Sequence, residues 1–482
     1  MGNSPTTESA QIPCLISRGA RLWPDGPAIY VRDRVITFAD VDILISGTAK
    51  RLREAGIHAG SLVGIRMNND WRYLVVLFAL FRIRAVACPI SPRFAIQTVS
   101  SALAYLNCHR LISTTKDTFG LSGLILAVDD LIEVGEPCTS FFSLDQSATV
   151  IFTSGSTNVP KAALHAIRQH YFSAIGANTN MTLGAGDRWL LSLPLYHVGG
   201  LAIPFRCWLA GASVVVTGAD MSTGQAILDF GITHVSMVAT QLRRYLDAGA
   251  MTGQNSLKAI LLGGSEIPTE LLLRSGHLPV HTTYGLTEMA SQVTTGLCRK
   301  SEIKNHTSGK LLPHRALRID DNGEILVCGK TLFEGYLRPE GCDPARDSDG
   351  WFHTRDLGKW GADSRLIIVG RIDNMFISGG ENVHPEEIER ALLHIPQVLR
   401  AVVVPVPDVA FGMRPVAFIK TTGRSVSSEE MSRELGGVLP NFKIPVAYYP
   451  WPEIGEDGKP QVDRTKLKSL GARLHQLPVR SS

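Results

Sequence analysis

Between Leu62 and Thr283, short β-branched runs alternate with stretches of helical period, and this alternation narrows the possible folds more than any other feature of the chain. Strands are expected at Leu62–Arg66, Ala85–Pro89, Arg188–Leu193, Ser213–Thr217, His234–Val238, Ala259–Leu262 and Val280–Thr283. Helical patterns lie between many of them, for example Phe38–Ala55 and Ala95–Leu106. Strand–helix alternation predicts an α/β fold with layered, largely parallel sheets. From Glu324 the pattern becomes strand-rich, with Glu324–Cys328, Trp351–Thr354 and Leu366–Val369 as candidates. After Gly370 it changes again. Pro385–His394 reads as a helix, with Pro385 near its start, Glu386 and Glu387 in its first turn, and Ile388, Ala391 and Leu392 on one face. Strand-like Arg400–Val406 and Pro415–Thr421 follow, then a helix near Ser428–Val438. A chain of 482 residues is too long for one core. The expected division is a large N-terminal part, residues 1–372, with a small β-rich portion, and a small α+β C-terminal part, residues 373–482.

Composition excludes several classes. Hydrophobic content is 44% and charged content 19%, which argues against long disorder. Net charge is +4 without a Lys/Arg-rich block, so nucleic-acid binding is not expected. Cys14, Cys88, Cys108, Cys138, Cys207, Cys298, Cys328 and Cys342 form no C-x-x-C pair, which argues against a zinc site or a disulfide scaffold. Met1–Gln11 is polar and lacks a signal-peptide pattern, and no apolar run reaches membrane-spanning length. A soluble, cytoplasmic protein is the expectation, with the oligomeric state, including a homo-oligomer, left open.

Five segments carry candidate chemistry. The strand Thr149–Phe152 runs into Thr153-Ser154-Gly155-Ser156-Thr157-Asn158-Val159-Pro160-Lys161. Small residues let backbone N–H groups approach phosphate oxygens, hydroxyls add donors, and Lys161 brings a positive charge. The Walker A spacing is absent. In the second segment, Thr283-Tyr284-Gly285-Leu286-Thr287-Glu288, a strand is expected to end in a Tyr-Gly turn. There Tyr284 offers a flat face for an aromatic base, and Glu288 is a hard oxygen ligand suited to Mg²⁺. The third is Asp356, a carboxylate able to accept hydrogen bonds from a ribose diol. The fourth is Gly370–Glu381, with Asp373 and the Gly379-Gly380 pair at the expected domain boundary. The fifth is Gly458-Lys459-Pro460. Each alone also fits an ordinary loop, turn or linker.

Their order and spacing together resemble the acyl-adenylate-forming enzymes, the AMP-dependent synthetases and ligases, from about Trp23 to about Lys468. Within that family, Leu193–Gly200, Thr233–Leu242, Pro160–His165 and Gly370–Glu381 look most like the branch that ligates o-succinylbenzoate to coenzyme A in menaquinone biosynthesis. The resemblance implies ATP, Mg²⁺ and coenzyme A as cofactor and co-substrates, and a C-terminal domain that is mobile. It implies that Thr153–Lys161 holds the β- and γ-phosphates and that Gly263, Gly264, Ser265 and Glu266 line the adenine. It also implies that Tyr284 stacks on the base beside Thr283 and Gly285, that Thr287 touches phosphate, and that Glu288 helps to hold the metal. Asp356 and Arg371 would bind the ribose, Asp373 would be the hinge, and Lys459 would bridge carboxylate and α-phosphate during adenylation. Gly379-Gly380 would swing in for the thioester step. His197 would flank the acyl site.

Arg206 falls where that branch carries an arginine near the aromatic carboxylate of its substrate. An arginine snorkelling out of a helix is the other reading of Arg206. Asn158 departs from the family's usual glycine; asparagine tolerates left-handed backbone, so the loop is expected to keep its shape. Two further readings stay open: a coenzyme A ligase for another aromatic or medium- to long-chain acid, and a non-catalytic nucleotide-binding relative.

Overall fold

A computed structural model describes residues 10–114, 123–153, 161–218, 220–249, 256–264, 267–299, 303, 307–423, 426–452 and 464–476. Two large sheets dominate. The eight-stranded sheet runs Gly341–Asp343, Gly335–Arg338, Lys161–Ala166, Ser147–Thr153, Val86–Pro89, Leu62–Arg66, Arg110–Ser113, Leu124–Ala127. The nine-stranded sheet runs Lys310–Leu311, Ser291–Leu297, Val280–Leu286, Ala259–Leu262, His234–Met237, Arg188–Leu190, Ser213–Val215, Pro27–Val31, Arg34–Thr37. The nine-stranded sheet is parallel inside and antiparallel at both margins, while the eight-stranded sheet is antiparallel at the Gly341–Asp343 end and parallel from Ser147–Thr153 to its other edge, Leu124–Ala127. The strands read from β-branched runs form these interiors, because a strand covered by helices on both faces must be apolar throughout. A four-stranded antiparallel sheet, Arg315–Ile319, Glu324–Gly329, Phe352–Trp360 and Leu366–Arg371, is the β-rich portion.

The helices obey local rules. Phe38–Glu54 starts at a capping box, in which Thr37 Oγ1 accepts from Asp40 N–H and Asp40 accepts from Thr37 N–H, each at 3.1 Å. Tyr73–Phe81 lies inside the helix Trp71–Arg82 and is wholly buried, so this apolar run is core. Phe78 contacts Phe81, Phe205 and Trp208 there, with ring centroids 4.6 to 5.4 Å apart. Arg82 closes that helix in a buried ion pair with Asp42 at 2.7 Å. Among the described residues no helix is long and apolar enough to cross a membrane.

Two sequence expectations change. The strand expected to end at Thr283 continues to Leu286, and the Tyr-Gly step is a bulge between Tyr284 and Gly285 inside the ladder, not a turn. Glycine is required because a Cβ at Gly285 would lie 2.2 Å from Ser291 O on the adjoining strand. The strand expected at Trp351–Thr354 runs from Phe352 to Trp360, which puts Asp356 in mid-strand.

Beyond residue 372 the chain forms a two-stranded and a three-stranded sheet with the helices Pro385–Leu392, Ser428–Gly436 and Arg464–Gln476. Its apolar side chains, from Phe376 to Leu474, pack into clusters separate from those of the earlier residues. Contacts cross between the two sets, including Thr269 Oγ1 to His394 Nε2 at 3.1 Å and Arg390 donating to Ile368 O at 3.3 Å.

Candidate functional site

The phosphate-loop candidate joins the two strands of an antiparallel hairpin, with Thr153 opposite Lys161. Ser154, Gly155, Ser156, Thr157 and Asn158 lie outside the described residues, as do Ser265, Glu266 and Lys459. Lys161 is exposed, and its Nζ sits 4.9 Å from the centre of the Tyr336 ring. Two residues apart along a strand means one face. Lys161, Ala163 and His165 therefore point the same way, and His165 Nε2 reaches Thr287 O at 2.8 Å. A carbonyl only accepts, so Nε2 carries the proton. Burial pushes the His165 pKa down to about 4, which keeps the ring neutral.

Val280–Leu286 delivers the second segment. Thr283 Oγ1 donates to Thr294 O at 2.7 Å. Gly263, just past the end of Ala259–Leu262, packs against it: a Cβ there would lie 2.5 Å from Thr283 Cγ2. Gly264 follows with φ +87°. After Leu286 the chain makes a 3-10 turn, Thr287–Met289. Three contacts strap this turn. His165 holds Thr287 O, Phe333 N–H donates to Glu288 O at 2.8 Å, and the Tyr336 hydroxyl donates to Glu288 Oε1 at 2.7 Å.

Asp356 lies directly opposite Arg371 across two antiparallel strands. Arg371 Nη1 donates to Asp356 Oδ1 at 2.5 Å, and the Tyr284 hydroxyl donates to Oδ2 at 2.7 Å. Burial raises the Asp356 pKa above the ordinary carboxylate value, against the opposing pull of Arg371 and Tyr284. Tyr284 is itself 9% exposed, its ring in the core beside Met289 and Val293. Asp373 is gripped by Arg355 (Nη2 to Oδ1, 2.8 Å) and by Arg371 (Nη2 to Oδ2, 3.4 Å). Burial pushes its pKa upward, but the two guanidiniums outweigh burial and hold the carboxyl below its usual range. Gly379 and Gly380, with φ +58° and +87°, form the two-residue turn of the hairpin Phe376–Ser378 and Glu381–Val383.

His197 stands at the N-terminus of the helix Val198–Ala210, and its carbonyl accepts from Gly200 and Leu201 N–H, each at 3.0 Å. The preceding loop is held by Asn69, whose amide donates to Leu193 O at 2.9 Å and accepts from Leu195 N–H at 2.9 Å. Arg206 lies on the same helix and is fully buried, which excludes snorkelling. Its Nη2 donates to Ser291 Oγ at 3.1 Å and its guanidinium lies 5.4 Å from the centre of the Trp189 ring. Nε and Nη1 find no partner among the described residues. Burial lowers the Arg206 pKa to about 10, so the group stays charged at neutral pH. An unpaired buried cation is costly, and an anion would relieve that cost.

The sequence candidates thus fall into local groups. Lys161, Thr287 and Glu288 meet around Tyr336 and His165. Tyr284, Asp356, Arg371 and Asp373 form one polar chain. Gly263 and Thr283 touch, and His197 and Arg206 share a helix. Tyr336, His165, Asn69 and Ser291 were not singled out from sequence. Their partners are 48, 122, 124 and 85 residues away, and no local pattern encodes such pairings. No group of three or more His, Cys, Asp or Glu suited to a metal occurs among the described residues. A single carboxylate beside a lysine still fits Mg²⁺ that takes its remaining oxygens from phosphate and water.

Residues 16–337 match the AMP-binding enzyme family. The 2-succinylbenzoate–CoA ligase of Salmonella typhimurium is 35% identical over 453 residues, covering 92% of this chain and 94% of that one. The o-succinylbenzoate CoA synthetase of Bacillus subtilis, solved with the acyl-adenylate OSB-AMP, superposes with TM-score 0.87 at 27% identity over 95% of this chain and 98% of that one. The same enzyme solved with ATP and a magnesium ion gives TM-score 0.83 at 27% identity, covering 92% and 96%. Family match, whole-chain relatives and fold agree with the expectation drawn from the motifs: this chain belongs to the AMP-binding enzyme family.

Proposed function

We propose that this chain activates 2-succinylbenzoate with ATP and transfers the acyl group to coenzyme A, the ligation used in menaquinone biosynthesis. The observation that carries this choice of substrate is Arg206, a buried cation whose Nε and Nη1 find no partner among the described residues, on the helix that His197 begins. A substrate with two carboxylates needs one free for attack and a cationic partner for the other. The whole-chain relatives that ligate 2-succinylbenzoate support the same reading.

In the first half-reaction a carboxylate oxygen attacks the α-phosphorus of ATP, the bond to the bridging oxygen breaks, and pyrophosphate leaves. Substrate and nucleotide are both anionic, so charge neutralisation and positioning dominate. Thr153, Ser154, Gly155, Ser156, Thr157 and Lys161 hold the β- and γ-phosphates, and Thr287 adds a hydroxyl. Glu288 is the protein's carboxylate toward Mg²⁺, which supplies Lewis-acid neutralisation of phosphate charge when bound. Gly263, Gly264, Ser265, Glu266, Thr283, Tyr284 and Gly285 line the base, while Asp356 and Arg371 hold the ribose. Lys459 bridges the carboxylate and the α-phosphate. In the second half-reaction the thiolate of coenzyme A attacks the acyl carbonyl and AMP leaves. The division into residues 1–372 and 373–482, with the hinge at Asp373, is supported by the separate apolar clusters on its two sides. The Gly379-Gly380 turn serves the thioester step.

The test is ATP–pyrophosphate exchange across a panel of carboxylic acids, followed by thioester formation with coenzyme A. Exchange is expected with 2-succinylbenzoate and not with benzoate or medium-chain acids; the reverse preference would overturn the substrate reading. Lys459→Ala is expected to abolish exchange while sparing thioester formation from supplied acyl-adenylate.

A further inference from the structure

Lys161 and Glu288 carry opposite charges and stand in the same part of the molecule, yet no ion pair joins them. Tyr336 lies against both. Its ring face meets Lys161 Nζ at 4.9 Å from the centroid, and its hydroxyl donates to Glu288 Oε1 at 2.7 Å. A phenol suits both neighbours, because its face is electronegative and its O–H is a donor.

The ring is held from several sides. Its strand, Gly335–Arg338, pairs with Lys161–Ala166, with Ala163 opposite Tyr336 and Leu164 opposite Gly335. Glu334 N–H donates to Leu164 O at 2.9 Å. The Gln169 amide donates to Leu332 O at 3.0 Å and to Glu334 Oε1 at 2.7 Å. The Phe333 ring packs edge-on at 4.9 Å, while its N–H holds Glu288 O. Tyr336 is therefore fixed by the same segment that fixes the Thr287–Met289 turn.

A lysine and a glutamate free to meet would neutralise one another and would have to be separated before either could serve a ligand. A rigid ring that engages Lys161 at its face and Glu288 at its hydroxyl gives each charge its own partner, and the hydroxyl holds the carboxylate in one orientation. We propose that Tyr336 is a positioning residue for the metal–triphosphate end of the site, keeping Lys161 and Glu288 apart and oriented before the nucleotide arrives. This rests on the roles assigned above to Lys161 and Glu288, but not on the identity of the acyl substrate.

The test is ATP binding by titration calorimetry over a series of Mg²⁺ concentrations, with the wild-type chain, Tyr336→Phe and Tyr336→Leu. Tyr336→Phe keeps the ring and loses the hydrogen bond to a charged group, which is worth about a tenfold change. The Mg²⁺ concentration at half-maximal ATP binding is expected to rise about tenfold. ATP affinity at saturating Mg²⁺ should stay near wild type. Tyr336→Leu removes the face as well and should weaken ATP even at saturating Mg²⁺. Thioester formation from supplied acyl-adenylate, which involves no triphosphate, should be spared in Tyr336→Phe. An unchanged Mg²⁺ dependence in Tyr336→Phe overturns the proposal. So does equal loss in both half-reactions, which would mark a merely structural role. A wild-type chain that binds MgATP but rejects 2-succinylbenzoate would sink the substrate reading and leave this test intact.

Discussion

Arg206 concentrates the residue-scale argument. Arg206 is a guanidinium at 0% exposure whose Nε and Nη1 find no partner among the described residues, an arrangement that is costly unless an anion joins it. Arg206→Met keeps much of the volume and removes the charge. It should leave stability to urea unchanged or raised without substrate, while the KM for 2-succinylbenzoate rises roughly 100-fold through loss of charge-assisted hydrogen bonds, with the KM for ATP unchanged. A variant less stable than wild type, with an unaltered KM for the acid, would show that Arg206 is structural. Asp356 makes a second case. It accepts from both Tyr284 and Arg371, so Asp356→Ala takes the acceptor from the buried Tyr284 hydroxyl and one of the two carboxylates that Arg371 holds, as well as removing a ribose acceptor. The KM for ATP should rise about tenfold or more, with a smaller effect on the acid, as steady-state kinetics would read. Arg206 could be singled out from the sequence, but its burial could not: a long charged side chain on an apolar stretch fits both a snorkelling and a buried arginine, and only packing chooses.

At the scale of elements, the helix Pro385–Leu392 was legible down to its proline and its acidic first turn, because these are local devices. Glu389 on its inner face was not. It is 5% exposed, accepts from Val403 N–H at 2.6 Å and pairs with Arg464 at 2.7 Å, tying this helix to Arg464–Gln476. Burial, partly offset by Arg464, raises its pKa to about 7. The unfolded chain releases this proton near the ordinary glutamate value of 4.5, the folded chain only near 7. The folded state therefore binds more protons across that window, and stability must fall as pH rises through it. A shift of this size corresponds to on the order of 3 kcal/mol. The Tm of wild type relative to Glu389→Gln should accordingly decline from pH 4.5 to pH 7 and level off above; a flat difference would contradict the assignment. The strand Val280–Leu286 shows the opposite failure. Gly285 resembles a turn residue in sequence, but its glycine serves the close approach of Ser291 O within a continuous ladder.

For the whole molecule, the issue is how two sets of apolar clusters are joined. Asp373 is clamped by Arg355 and Arg371, and Arg355 adopts φ +63°, a conformation that side chains rarely take. Arg371 also holds Asp356, so one guanidinium links the proposed ribose site to the proposed hinge. Asp373→Ala should change the balance between half-reactions, altering pyrophosphate exchange and thioester formation by different factors. Equal loss in both would argue against a hinge. The sequence by itself determined the layered α/β scheme, the strand-rich portion and the family. Those rest on contiguous patterns: the apolar runs of doubly covered strands, helix caps, and short motifs whose chemistry is local. Only the tertiary structure decided that Arg206 is buried, with Nε and Nη1 unpartnered among the described residues, that Asp356 faces Arg371, and that Tyr336 touches both Lys161 and Glu288. These depend on partners up to 175 residues away, joined by sheet register and packing, and hydrogen bonds across such separations leave no periodic trace in the chain.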